Sequence, residues 1–150
     1  MRSVMRRILL LGAALMATSS LAADKASMTY LHLYTDKDGE SRMKEERITF
    51  SEARAGGPMI ARLAKTEGAA FLMLEAGGFE DWHPAPQRWF LVALKGISEV
   101  TTSDGKVRRL TPGTLMLMDD TSGKGHQTRA IGPEDHVALV VPVENVPGLK

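Results

Sequence analysis

WHPAPQRWFLVALKG, Trp82 to Gly96, and VRRLTPGTLMLMDDTSGKGH, Val107 to His126, are the most informative stretches of this chain. In the first, Arg88 to Lys95 is a short apolar run stopped by Gly96. Pro84 and Pro86 hold the approach to it extended, because the pyrrolidine ring fixes φ near the strand and polyproline values. In the second, Val107 to Leu110 and Thr114 to Met118 are two further runs of strand length, parted by the turn Thr111-Pro112-Gly113. Short apolar runs punctuated by Gly, Pro and Asp are the pattern of a β-sandwich or barrel.

The same pattern extends on both sides. Ile97 to Thr102 follows Gly96 at once and leads into the turn Ser103-Asp104-Gly105-Lys106. Gln127 to Ile131 and His136 to Val143 read as the last two strands, and Ala69 to Glu75 as one ended by Gly77-Gly78. Further upstream, Met28 to Tyr34 alternates, with Tyr30, His32 and Tyr34 on one face and Leu31 and Leu33 on the other. Asp36-Lys37-Asp38-Gly39 is a turn, since Asp-Gly tolerates the φ > 0 conformations of tight turns. Arg47 to Phe50 is a candidate second strand. Ser51 to Thr66 is the least regular part: Pro58 to Lys65 could form one helical turn or two, while Gly56-Gly57-Pro58 argues for an irregular segment. Met73, Met116 and Met118 lie within strands, where a flexible thioether fills core gaps.

The N-terminus reads as a targeting segment. Arg2, Arg6 and Arg7 precede an apolar run from Ile8 to Ala17, and small residues around Leu21-Ala22-Ala23 suit signal peptidase. A signal peptide over 1–22, cleaved after Ala22 or Ala23, is expected, and with it a periplasmic or secreted location. The apolar run is shorter than the roughly 20 residues that span a bilayer, so no membrane association is expected after cleavage. The remaining 23–150 has the length of one domain. The chain has no cysteine, which excludes disulfides and thiolate chemistry. Without the signal's arginines, 16 basic residues face 18 acidic ones, a balance that gives no footprint for nucleic acid.

Taken together, Trp82–Gly96 and Val107–His126 resemble the two signature regions of the cupins, G-x5-H-x-H-x3,4-E-x6-G and G-x5-P-x-G-x2-H-x3-N. Gly77, His83 and Gly96 match the spacing of the first; Gly113 opens the second, with His126 at its histidine if two residues are inserted. The likeness covers about Ala69 to Val143 and is strongest to small single-domain bacterial cupins of the conserved-barrel type. It implies an all-β, cupin-type double-stranded β-helix or jelly-roll barrel, with its core over about 69–143. It also implies a homodimer, for which Met28 to Phe50 is the candidate contact.

Cupins typically hold Fe, Mn, Zn, Ni or a similar divalent transition metal with three histidines and a glutamate. Here His83 and His126 stand at two of those positions, and Ala85 and Trp89 replace the other two. If the segment is extended, residues 83, 85, 87 and 89 share a face, so Gln87 is a candidate third ligand, and Asp119 or Asp120 could add a carboxylate. The competing reading is a metal-free pocket in which Trp82 and Trp89 provide aromatic surface and Arg88 and Lys124 meet ligand charge. Gly123-Lys124-Gly125 is not a P-loop, because position 118 is methionine and position 125 is glycine. There is no G-x-S-x-G elbow. His32 and His136 match no motif and are expected at the surface or at strand edges. These residues point to an exported barrel that binds a small molecule. A metal-dependent dioxygenase, isomerase or lyase and a non-catalytic structural barrel are the alternatives, and catalysis is left open.

Overall fold

The computed structural model describes residues 26–52, 59–61, 64–66 and 68–146. Its elements are β1 (Ser27–Thr35), β2 (Ser41–Thr49), β3 (Ser51–Glu52), β4 (Met59–Ile60), β5 (Ala70–Leu74), β6 (Phe79–His83), β7 (Trp89–Lys95), β8 (Ile97–Thr102), β9 (Val107–Leu110), β10 (Leu115–Asp119), β11 (His126–Ile131) and β12 (His136–Pro142). No helix occurs among the described residues. The signal segment expected over 1–22 lies outside them.

The last eight strands form two facing sheets. One runs β5-β12-β7-β10 and the other β6-β11-β8-β9. Strands consecutive in sequence repeatedly cross from one sheet to the other, the connectivity of paired Greek keys. β1 extends the first sheet by pairing parallel with β10, Leu31 opposite Met116 and Leu33 opposite Met118, and β2 pairs antiparallel outside it. The strand order is that of a cupin-type jelly roll.

Alternation assigns the side chains. Facing inward from the larger sheet are Leu33, Leu91, Ala93, Met116, Met118, Ala138 and Val140, which pack with Val100 and Leu110 of the other sheet. The intervening residues Tyr30, Phe90 and Leu117 face outward, yet they too are buried, under Val143, Val146, Phe50, Ala61 and Ala64. This sheet therefore has two apolar faces, the outer one covered by the chain's own segments.

Several expectations are corrected. β2 begins at Ser41, well before Arg47; its alternating charged residues gave no apolar signal. Met59–Ile60 is extended and pairs with Ser51–Glu52, so the expected helical turn does not begin there; much of the rest of that segment lies outside the described residues. Phe79–His83 is a strand of its own. Met116 and Met118 are core residues, but Met73 is 60% exposed, since β5 is an edge strand whose inward residues are Leu72 and Leu74. His32 and His136 are not superficial: both are buried. His32 lies on the outer face between Tyr34 and Glu46, with Asp119 Oδ2 3.2 Å from its Nε2, and His136 begins the inward row that continues through Ala138 and Val140.

Candidate functional site

Between the two sheets lies a cavity of about 250 Å³. Its apolar wall includes Leu72, Leu91, Val100, Leu110 and Met116, and its polar lining is Glu80, His83, Ser98, His126, Thr128 and His136. Each sheet places these groups by simple alternation: Ser98 and Val100 on β8, His126 and Thr128 on β11. The register sets their levels. His126 is opposite both His83 and Thr102 at one end, and Ala130 is opposite Ser98 toward the other. Four residues along β8 separate Thr102 from Ser98, roughly 13 Å at ~3.3 Å per residue. Gly96 packs its backbone against Asp135 and His136, which puts His136 at the Ser98 end. The cavity is thus polar at both ends and apolar at its waist.

At the first end, the His83 and His126 rings lie 4.8 Å apart between centroids. Each is tethered through Nδ1. His83 Nδ1–H donates to the Asp81 carbonyl at 2.6 Å. His126 Nδ1–H donates to Asp120 Oδ2 at 2.8 Å, and the same oxygen accepts from Ser41 Oγ at 2.8 Å. In a neutral imidazole this bond keeps the proton on Nδ1 and leaves Nε2 as the atom with a lone pair. That Nε2 is buried and has no partner. The tether is itself held in place, since Ala85 N–H donates to the Asp120 carbonyl at 3.1 Å.

At the other end, His136 is fully buried, hydrogen-bonds the Lys95 backbone, and has an unpartnered Nδ1. Burial holds its pKa below the ordinary histidine value, only partly offset by that backbone bond. Ser98 Oγ is likewise buried without a partner. Unpaired buried polar atoms are costly, about 1–3 kcal/mol each, and three of them border one cavity.

The residues singled out from the sequence separate into two groups. His83, His126 and Trp89 come together on the cavity. Trp82, on the edge strand β6, is 46% exposed and does not line it. Gln87 and Arg88 line a different, shallower cleft with Lys65, Pro142, Val143 and Glu144. The expected shared face of 83, 85, 87 and 89 fails because the chain leaves β6 after His83 and bends at Pro86 and Gln87 before β7. Arg88 pairs with Asp119 at 2.5 Å, and Lys124 pairs with Glu40. Asp120, Ser98 and His136 were the members not anticipated as a group. Alternation was the available signal for His136, from Ala138 and Val140, and for Ser98, from Val100.

The four-ligand metal set typical of cupins does not fit these residues. Ala85 is a buried core residue whose side chain has no donor atom for a metal. Trp89 Nε1–H is a donor only, spent on Met118 Sδ at 2.9 Å. Among the described residues no three His, Asp or Glu groups are placed to share an ion.

No family model matches the chain, and no curated protein matches it. Among solved structures it is similar to a cupin 2 conserved barrel domain protein from Salinispora arenicola, at 20% identity and TM-score 0.42, over 51% of this chain and 61% of that one. It is also similar to the Schizosaccharomyces pombe Cnp3 cupin domain, at 15% identity and TM-score 0.43, over 81% and 86% of the two chains. A cupin 2 conserved barrel domain protein from Leptotrichia buccalis matches at 13% identity and TM-score 0.41, over 81% and 80%. The jelly-roll assignment itself rests on strand order and register.

Proposed function

We propose that this is an exported cupin-fold protein that binds a small, largely apolar molecule inside its barrel. The observation that carries the proposal is the set of three buried, unpartnered polar atoms, His126 Nε2, His136 Nδ1 and Ser98 Oγ, on residues lining a cavity with a largely apolar wall. A fold tolerates such atoms where a bound molecule satisfies them, and an apolar pocket with a few placed polar groups is the usual form of a small-molecule site.

The test uses the mature chain and a panel of small aromatic compounds, followed through the fluorescence of Trp89 at the cavity wall. Saturable quenching is expected, and it should be lost in Val100→Phe, which fills the waist. Quenching that persists unchanged in Val100→Phe, or no saturable response to any compound, would overturn the proposal.

A further inference from the structure

We infer that the molecule bound in this cavity is not an anion and donates a hydrogen bond: a hydroxyl-bearing compound, apolar elsewhere, of which phenol is the simplest model. The inference rests on the binding function proposed above and specifies its chemistry.

The balance of donors and acceptors on the cavity wall sets the chemistry of its occupant. With its Nδ1–H committed to Asp120, a neutral His126 offers only a lone pair at the unpartnered Nε2. A neutral His83, whose Nδ1–H is committed to a carbonyl, likewise has Nε2 as an acceptor. Glu80 adds a carboxylate, again acceptor-only when ionised. The hydroxyls of Ser98 and Thr128 can serve either way. Among the described residues no lysine or arginine lines the cavity, and the candidates from the sequence are engaged elsewhere, Arg88 with Asp119 and Lys124 with Glu40. An anion would therefore meet lone pairs and a carboxylate inside apolar walls, with no cation to offset its desolvation. A molecule with only acceptors would leave His126 Nε2 unsatisfied. A hydroxyl donor satisfies it, while the remainder of the molecule occupies the Leu91, Val100 and Met116 waist.

Four probes of similar size separate these terms: toluene, phenol, anisole and benzoate, titrated calorimetrically into the mature protein. Phenol should bind about 10-fold more tightly than toluene or anisole, the effect of one hydrogen bond to a buried acceptor, and benzoate should bind more weakly than toluene. His126→Phe keeps an aromatic ring at the site and removes the acceptor. In it the preference of phenol over toluene should shrink toward unity while toluene affinity is kept. Because that variant also strips Asp120 of a partner and could fail to fold, the wild-type protein supplies a second readout. ¹⁵N imidazole spectra should show His126 protonated at Nδ1 and bare at Nε2, with the Nε2 resonance moving on addition of phenol. Toluene binding without any gain for phenol, benzoate binding as tightly as phenol, or an Nε2-protonated His126 would each overturn the inference while leaving a small-molecule cavity intact. Failure of all four probes to bind, toluene included, would overturn the binding function beneath it.

Discussion

Gly125 is the residue through which the histidine end of the cavity is most open to perturbation. It has φ +73, and a Cβ added there would lie 2.1 Å from both the carbonyl carbon and oxygen of His83 and 2.4 Å from the nitrogen of Pro84. All three are backbone atoms, so no side chain can rotate away. Gly125→Ala therefore carries two penalties: about 1–2 kcal/mol for a left-handed conformation at a residue with a Cβ, and about 1–3 kcal/mol for the overpacking that forces β6 from β11. Gly105 separates the two. Its φ is +84, but a Cβ there meets nothing within 4 Å, so Gly105→Ala carries the conformational penalty alone. The expected excess for Gly125→Ala is then about 2 kcal/mol. With a urea m-value of about 1.5 kcal/mol/M for a domain of this size, that lowers the midpoint by about 1.3 M relative to Gly105→Ala. Urea unfolding of both variants at pH 7, followed by far-UV circular dichroism, measures it. Midpoints that coincide would refute the close approach of the two backbones at His83, and with it the described geometry of the His83–His126 pair.

Acid should weaken the fold before its carboxylates protonate. Burial holds His32 and His136 below their ordinary 6.5, so the unfolded chain binds these protons first and stability declines as pH falls from about 6.5 toward the lower folded values. Asp36 and Asp104 are held below 3.8, chiefly by hydrogen bonds from Arg42 and Thr102. Their contribution is present above 3.8 and is lost only as pH falls through their still lower folded values. In urea midpoints taken between pH 7 and 5, His136→Leu should flatten part of the slope; an unchanged slope would show that His136 is not buried neutral. Phe71 and Met73 are 74% and 60% exposed, so Phe71→Ser and Met73→Ser should change stability by no more than about 0.5 kcal/mol and improve solubility by blunting the edge of β5; a loss of several kcal/mol by thermal denaturation would place them in a packed interface. Intact mass of the protein recovered from a secreting bacterial host should correspond to a chain beginning at Ala23 or Asp24, and an unprocessed Met1 would remove the signal-peptide reading.

The fold was legible because its strands announce themselves by punctuation. β8 and β9 run from Ile97 to Thr102 and from Val107 to Leu110, the limits set by Gly96 and by the Asp104-Gly105 turn. Where an inward row was apolar and its ends were marked by Gly or Pro, the reading came within a residue or two, as for β5, β10 and β12. β2 escaped because SRMKEERIT is an edge strand whose exposed positions carry charge, and alternation of Met43 with charged neighbours is a weak signal. His32 was misplaced for a different reason. A row of Tyr30, His32 and Tyr34 opposite Leu31 and Leu33 looks like an outer face, and so it is. What alternation cannot reveal is that residues distant in sequence return to that face, Ala61, Ala64, Val143 and Val146 into the cluster around Tyr30, and Asp119 beside His32.

The site was half legible, and the missing half explains why. Motif spacing located His83 and His126, because both follow from glycines that fix where strands end. It placed Gln87 with them by assuming one continuous strand, and Pro84-Ala85-Pro86 makes that assumption reasonable. Yet prolines also favour turns, and here the chain bends at Pro86 and Gln87. The consequence reaches past one residue. With Gln87 carried into another cleft, Ala85 buried without a donor and Trp89 bonded to Met118, the end of the cavity has two imidazoles and, among the described residues, no third ligand beside them. Asp120 then takes on a different meaning. From sequence it was a carboxylate that could join a metal; in the fold it is fully buried, its Oδ2 shared by His126 and Ser41 and its Oδ1 without a partner. A carboxylate used to orient one imidazole, rather than to share an ion with it, makes the histidine a fixed acceptor. The ligand this barrel selects is then set by the direction of a single proton on Nδ1, information that no spacing of letters contains.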